Sequence, residues 1–198
     1  MERQSDVPAM ERRRLMLAMG ACLSMALPVM AKAHGIGIVD PAIAIPTGFA
    51  VLRNDGRRML LRDLLKQRRT IMQLMFTGCG ETCPLQGALF AALQKRLASD
   101  SNGENQLLSV SINPMDDARS LATWLHRFGA GRRWIAAVPG AKAIDSIRTA
   151  LQDARATIGG HSSQVYFINE AGRLIWRTED FPSSDIVVEI AKHNRWID

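Results

Sequence analysis

Short apolar runs alternate with helical patterns through the middle of the chain. The uncharged runs Ile71–Thr77 and Gln106–Ile112 each predict a strand buried on both faces of a sheet, and Trp134–Val138 predicts a third strand. Apolar residues at helical spacing follow each run. They are Leu85, Ala88, Leu89, Ala92, Leu93 and Leu97 after the first run, Leu121, Trp124, Leu125 and Phe128 after the second, and Ile144, Ile147 and Leu151 after the third. This alternation predicts parallel strands joined by crossover helices.

One hairpin precedes this region, and a second hairpin with a final helix follows it. The first joins Phe49–Leu52 to Met59–Leu61 across Asn54-Asp55-Gly56, and the second joins Val165–Ile168 to Arg173–Thr178 across Asn169–Gly172. Ser183 or Ser184 can cap a C-terminal helix. The order of elements predicts a single α/β domain of thioredoxin-like architecture, with an N-terminal β-hairpin and a mixed central sheet flanked by helices.

The start of the chain has the three parts of a secretory signal. The basic cluster Arg12–Arg14 is followed by the apolar run Leu15–Met30 and by small residues that end at Ala33. Residues 1–33 are therefore predicted to be an export signal, and residues 34–198 to be the folded domain of a periplasmic protein. The alternative is an uncleaved membrane anchor through the apolar run, which is shorter than the roughly 20 residues that a spanning helix needs.

The positive charge of the chain does not indicate a nucleic-acid-binding protein. The sequence has 25 Lys and Arg residues against 19 Asp and Glu residues, a formal net charge of +6. The basic residues are scattered rather than gathered into a stripe, and an exported protein meets little nucleic acid. We therefore expect no nucleic-acid partner, while docking to an acidic membrane protein stays open.

The predicted domain contains two cysteines, Cys79 and Cys83, and they lie where a buried strand leads into a helix. Pro84 suits the first turn of that helix. Residues at positions i and i+4 of a helix lie one turn apart, so both sulfurs can point the same way. The helix N-terminus favours a thiolate over a thiol. Such a pair can form a Cys79–Cys83 disulfide, exchange disulfides with a partner, or bind a soft metal ion such as copper or zinc.

A metal ion held by two thiolates needs a third ligand, and the four histidines differ in their suitability. His161 follows Gly159-Gly160 and precedes the C-terminal hairpin. In thioredoxin-like folds that loop faces the cysteine motif, which makes this histidine the candidate. His126 and His193 lie in predicted helices, where a surface or packing role is favoured. His34 would become the first residue after cleavage, and its amine and imidazole form a separate copper-binding candidate.

Three segments of the chain form a recognisable set of motifs. They are Phe76–Pro84, Val110–Pro114 with Asp116 and Asp117, and His161-Ser162 followed by Tyr166–Asn169 and Gly172. Through these motifs the chain resembles the Sco/SenC family of copper-binding assembly factors for cytochrome c oxidase, from Phe49 to the C-terminus. The chain departs from the family at Asn113, where an aspartate is common, and in the short stretch before His161.

The resemblance implies a copper chaperone rather than an enzyme. Cys79, Cys83 and His161 would hold one copper ion, Cu(I) or Cu(II), and pass it to the apo copper site of a membrane oxidase or to another copper chaperone. The first alternative is a periplasmic thiol-disulfide oxidoreductase, in which Cys79 attacks a partner disulfide and Cys83 resolves the mixed disulfide.

A second alternative is a thiol peroxidase. The segment Cys79–Thr82 is similar to the Cys-Gly-x-Thr motif around the reactive residue of glutathione peroxidases. The tryptophan-centred segment that supports that chemistry has no counterpart in this chain, because Trp124 and Trp134 stand at other positions.

Overall fold

One mixed sheet of eight strands organises the part of the chain that the structure describes. The computed structural model describes residues 36–98, 105–153, 156–157 and 162–193. The strands are β1 (Ile36–Ala44), β2 (Ala50–Arg53), β3 (Arg58–Leu60), β4 (Arg69–Met75), β5 (Asn105–Ser111), β6 (Trp134–Pro139), β7 (Val165–Ile168) and β8 (Arg173–Thr178). The helices are α1 (Leu61–Leu65), α2 (Thr82–Leu97), α3 (Ala118–Arg127), α4 (Ala141–Leu151) and α5 (Ser184–His193). The predicted export signal lies outside the described residues.

The strand order is β1-β8-β7-β4-β5-β6-β2-β3. The central strands β4, β5 and β6 are parallel, and every other neighbouring pair is antiparallel. The predicted mixed sheet with two parallel crossovers is therefore confirmed, and the predicted hairpin β2–β3 extends the sheet beside β6. None of the helices within the described residues is long and apolar enough to cross a bilayer.

Two elements were not predicted from the pattern of apolar residues. Strand β1 contains Pro41, and its pairing with β8 shifts between Ile38 and Ile43. Proline is tolerated in a strand at a sheet edge or at a bulge, and β1 lies at one of the two edges of the sheet. The short helix α1 follows β3 directly, so Leu61, which was predicted to be a strand residue, begins a helix instead.

The sheet separates two hydrophobic clusters. Helices α2, α3 and α5 cover one face of the sheet, and helices α1 and α4 cover the other. Successive strand residues point to opposite faces, which is why Ile71 belongs to the first cluster and Met72 to the second. Cys79 and Cys83 both belong to the first cluster, so their environment is set by the packing of α2 against the sheet.

Helix α2 approaches the end of α3 closely at Gly87. A Cβ atom on this residue would lie 2.4 Å from the ring of Phe128. That ring packs 5.0 Å from Trp124, which meets Trp134 edge-on with 5.7 Å between the ring centroids. The glycine therefore permits the aromatic packing that holds α2, and with it Cys83, in place.

Gly87→Ala is expected to lower the free energy of unfolding by about 1–3 kcal/mol, because the added methyl group overpacks the core. The higher helix propensity of alanine would by itself raise the free energy of unfolding by about 1 kcal/mol. The sign of the measured change in this free energy therefore tests the contact with Phe128. Urea unfolding followed by circular dichroism measures it. Gly48→Ala is the control, since a Cβ atom there meets nothing within 4 Å. A Gly87→Ala variant as stable as the wild type would contradict the close approach.

Candidate functional site

The cysteine loop runs from the end of β4 to the start of α2. The ladder between β4 and β5 is followed by a hydrogen bond of 2.8 Å from the Ile112 amide to the Met75 carbonyl. The chain then turns, and the Cys79 amide donates to the Phe76 carbonyl at 3.2 Å. The predicted strand thus ends two residues before Thr77. Cys79 lies in the loop, whereas Cys83 lies in the first turn of α2, as predicted.

The two thiols are adjacent and buried. Cys79 is 6% exposed and Cys83 is 4% exposed, and no disulfide joins them. Burial, followed by a side-chain hydrogen bond with Cys79, raises the pKa of the Cys83 thiol from 9.0 to about 12, against the opposing effect of backbone hydrogen bonds. At Cys83 the predicted preference of the helix N-terminus for a thiolate is therefore outweighed by burial. The predicted Cys79–Cys83 disulfide stays a prediction.

The carboxylate of Asp116 ties the cysteine loop to the loop after β5. Its Oδ2 atom accepts hydrogen bonds from the Thr77 amide at 2.9 Å and from the Ser111 hydroxyl at 2.7 Å. Its Oδ1 atom accepts from the Thr77 hydroxyl at 2.8 Å and from the Asn113 side-chain amide at 3.1 Å. Asp116 is only 9% exposed, so water has little access to these contacts. The carboxylate fixes the loop two residues before Cys79.

This arrangement changes the interpretation of Asn113. An asparagine carries no charge, whereas the aspartate that is common in the family at this position does. In the structure the charge comes from Asp116, three residues later, whose carboxylate contacts the Asn113 side chain directly. The sequence gives no pattern that pairs Asp116 with Thr77, because the two residues are 39 positions apart.

His161 lies outside the described residues, but the chain next to it is held by a buried network. Ser162 and Tyr166 both donate hydrogen bonds to Oδ2 of Asp153. Burial, followed by the charge of Asp153, raises the pKa of the Tyr166 phenol, which therefore stays protonated and remains a donor. The network fixes the residue that directly follows His161. That His161 faces the cysteines stays a prediction.

The other candidate residues take no part in a metal cluster within the described ranges. His126 is exposed on α3, His193 is the last residue of α5, and His34 lies outside the described residues. Across the described parts of the chain, no three His, Cys, Asp or Glu side chains converge on one point. The Trp134 indole N–H donates a hydrogen bond to Ser109 Oγ at 2.9 Å, so this N–H is not available as a donor to a cysteine.

The match to a known family covers the whole site. The family model described as SCO1/SenC matches residues 40–194, most of the chain. The chain belongs to the SCO1/SenC family. The matched range runs from within β1 to the end of α5 and includes both cysteines and His161. No curated protein matches the chain significantly by sequence.

Solved structures of SCO1/SenC proteins share the fold. ScoI from Arabidopsis thaliana with copper bound is 20% identical over 76% of this chain and 100% of that chain, with a TM-score of 0.61. A SCO1/SenC family lipoprotein from Bacillus anthracis str. Ames is 22% identical over 78% and 98%, with a TM-score of 0.63. BsSco, a Sco-family cytochrome c oxidase assembly protein with a disulfide switch, is 23% identical over 78% and 95%, also at 0.63. The predicted thioredoxin-like fold is confirmed.

Cys83 is expected to resist alkylation in the native protein. In a Cys79→Ser variant burial still holds the Cys83 pKa above its ordinary value of 9.0, so the reaction with iodoacetamide should stay slow through pH 9. Mass spectrometry of the adduct against pH measures the rate. The same variant in urea is the control and should react with an ordinary thiol profile. A native profile with its midpoint at or below pH 9 would refute the effect of burial.

Asp116→Asn is expected to lower the free energy of unfolding by about 1–3 kcal/mol. The substitution replaces one carboxylate oxygen by an NH2 group, which cannot accept the hydrogen bonds that this oxygen accepts. Amide hydrogen exchange at Thr77 should become faster as well. Asp117→Asn is the matched control, because Asp117 only caps α3 through Ser120 and asparagine caps helices as well as aspartate does. Urea unfolding compares the two variants, and equal stabilities would count against the role of Asp116.

Proposed function

We propose that the chain is a copper-binding chaperone that holds one copper ion through Cys79, Cys83 and His161. The observation that carries this proposal is the adjacency of two buried thiols at the start of α2. Soft sulfur ligands with an imidazole select copper over hard ions such as magnesium. Membership of the SCO1/SenC family supports the proposal, since Sco proteins from other organisms have been solved with copper bound.

The protonation of the cysteines sets the conditions for copper binding. The raised pKa of Cys83 keeps this thiol neutral at pH 7, so its proton must leave for solvent when the sulfur becomes a ligand. Copper affinity is therefore expected to rise with pH over the physiological range. The positive charge of the metal ion stabilises the buried thiolate that the empty site does not support.

The family relationship supports a proposal for the partner and the compartment. BsSco is a cytochrome c oxidase assembly protein, which supports transfer of copper to the apo site of a respiratory oxidase or to another copper chaperone. We place the chain in the periplasm, exported by residues 1–33 or held at the membrane by residues 15–30. A family member from Bacillus anthracis is a lipoprotein, which supports a location at a membrane surface.

The contact between the thiols also favours a second function, thiol-disulfide exchange. Cys79 as a thiolate would attack a disulfide of the partner, and Cys83 would then displace the partner from the mixed disulfide. The partner leaves with two reduced thiols, and the chain keeps a Cys79–Cys83 disulfide. The side-chain hydrogen bond between the two cysteines supports this step, since it brings the two side chains into contact.

Reconstituted protein is expected to bind one copper ion and to show a thiolate-to-Cu(II) absorption band. His161→Ala should abolish the band or shift it strongly, and Cys79→Ser should weaken binding by at least about tenfold, because each removes a ligand. Metal analysis and absorption titration measure both quantities.

His126→Ala is the matched control, because His126 is an exposed histidine on α3. This variant should keep the stoichiometry and the band of the wild type. An unchanged band in His161→Ala would exclude His161 as a ligand. A protein that binds no copper but reduces disulfides in a reaction that needs Cys79 would establish the second function instead.

A further inference from the structure

A buried amide without a partner lies one turn after the second cysteine. Gln86 is 0% exposed on α2, and among the described residues neither Nε2 nor Oε1 has a hydrogen-bond partner. Leaving a buried polar group unpaired costs about 1–3 kcal/mol, so native proteins keep few of them. The hydroxyl of Thr82, four residues earlier on the same helix, is also buried and unpaired within the described part of the chain.

Other buried glutamines of the described chain do form hydrogen bonds. Gln73 donates to the Ser109 hydroxyl at 2.9 Å, and Gln106 donates to the Leu64 carbonyl at 2.9 Å. Each of these two glutamines pairs its amide N–H, although its Oε1 atom is unpaired within the described residues. Gln86 differs because neither of its side-chain polar atoms has a partner there, and it lies three residues after Cys83.

Gln86 and Cys83 share one side of α2. Residues at i and i+3 of a helix lie on the same face, about 5–6 Å apart at their Cβ atoms. Helical side chains also lean toward the helix N-terminus, which for Gln86 means the turn that holds Thr82 and Cys83. The two residues with unpaired groups, Thr82 and Gln86, therefore both lie within one turn of Cys83 on α2.

We propose that the Gln86 amide is a positioning group that donates a hydrogen bond from Nε2 to the sulfur of Cys83 when copper is bound. This inference rests on the proposed copper-binding function. A cysteine sulfur bound to copper is a thiolate, whose charge strengthens any hydrogen bond that it accepts. The Gln86 amide, which has no partner among the described residues, would gain one in the copper-bound protein.

The test is Gln86→Met, which removes the amide and nearly conserves the volume of the side chain. The metal-free variant should unfold at a higher urea concentration than the wild type, because a buried unpaired group is gone. Its copper affinity should fall by about tenfold, and its thiolate-to-Cu(II) band should shift, because the bound sulfur has lost a donor. A purely structural residue would not move stability and affinity in opposite directions. Gln86→Leu should reproduce both changes.

Gln73→Met is the matched control. Gln73 is equally buried and its Oε1 atom is also unpaired, but its amide N–H donates to Ser109, so this variant should lose that hydrogen bond, gain no stability and keep the copper affinity of the wild type. A Gln86→Met variant that loses stability, or that binds copper as tightly as the wild type, would overturn the role of Gln86 alone. Wild-type protein that binds no copper would overturn the proposed function and this role with it.

Discussion

The parallel pairing of β4 with β5 is the constraint on which the site depends. Its register places Met75 opposite Ser111, so both strands end at the same edge of the sheet. The loops that follow then meet, and Thr77 donates to Asp116 through both its amide and its hydroxyl. A slip of this register would separate the carboxylate from the cysteine loop. The position of the loop that carries Cys79 therefore depends on β5, a strand that contains no cysteine.

Two physical effects oppose each other at Cys83. A helix N-terminus stabilises a nearby negative charge by about 1 kcal/mol or less at exposed sites, whereas removing a charge from water costs several kcal/mol. Burial prevails here, and the pKa of the thiol rises to about 12. The empty site therefore keeps Cys83 neutral, and a soft cation supplies the charge that a thiolate needs. The same burial that suppresses the reactivity of Cys83 makes the site responsive to a metal ion.

Local patterns predicted most of the fold and the place of the two cysteines where β4 leads into α2. Strands β7 and β8 have the predicted bounds, because each is an apolar segment that ends at clear turn residues. Strand β1 was missed because Pro41 and an irregular register interrupt the alternation of apolar and polar residues. A strand with these features is tolerated because β1 lies at an edge of the sheet. The spacing of the cysteines is local and visible, but the role of Asp116 is not, since Thr77 is 39 positions away. The burial of Cys83 depends on the packing of several helices and strands around it, which the spacing of residues along the chain does not reveal.

In the proposed copper site, the unpaired amide of Gln86 and the neutral thiol of Cys83 would together link folding to metal binding. An empty site with unpaired buried groups is less stable than the same site loaded, so any ligand that satisfies them stabilises the fold by mass action. A chaperone must also release its cargo. Because the Cys83 sulfur of the proposed copper site would regain a proton on losing the metal, the free energy of reprotonation would favour release and partly offset the loss of the metal–sulfur bond. The burial that raises the pKa of Cys83 therefore aids transfer to a partner whose own ligands bind copper more tightly.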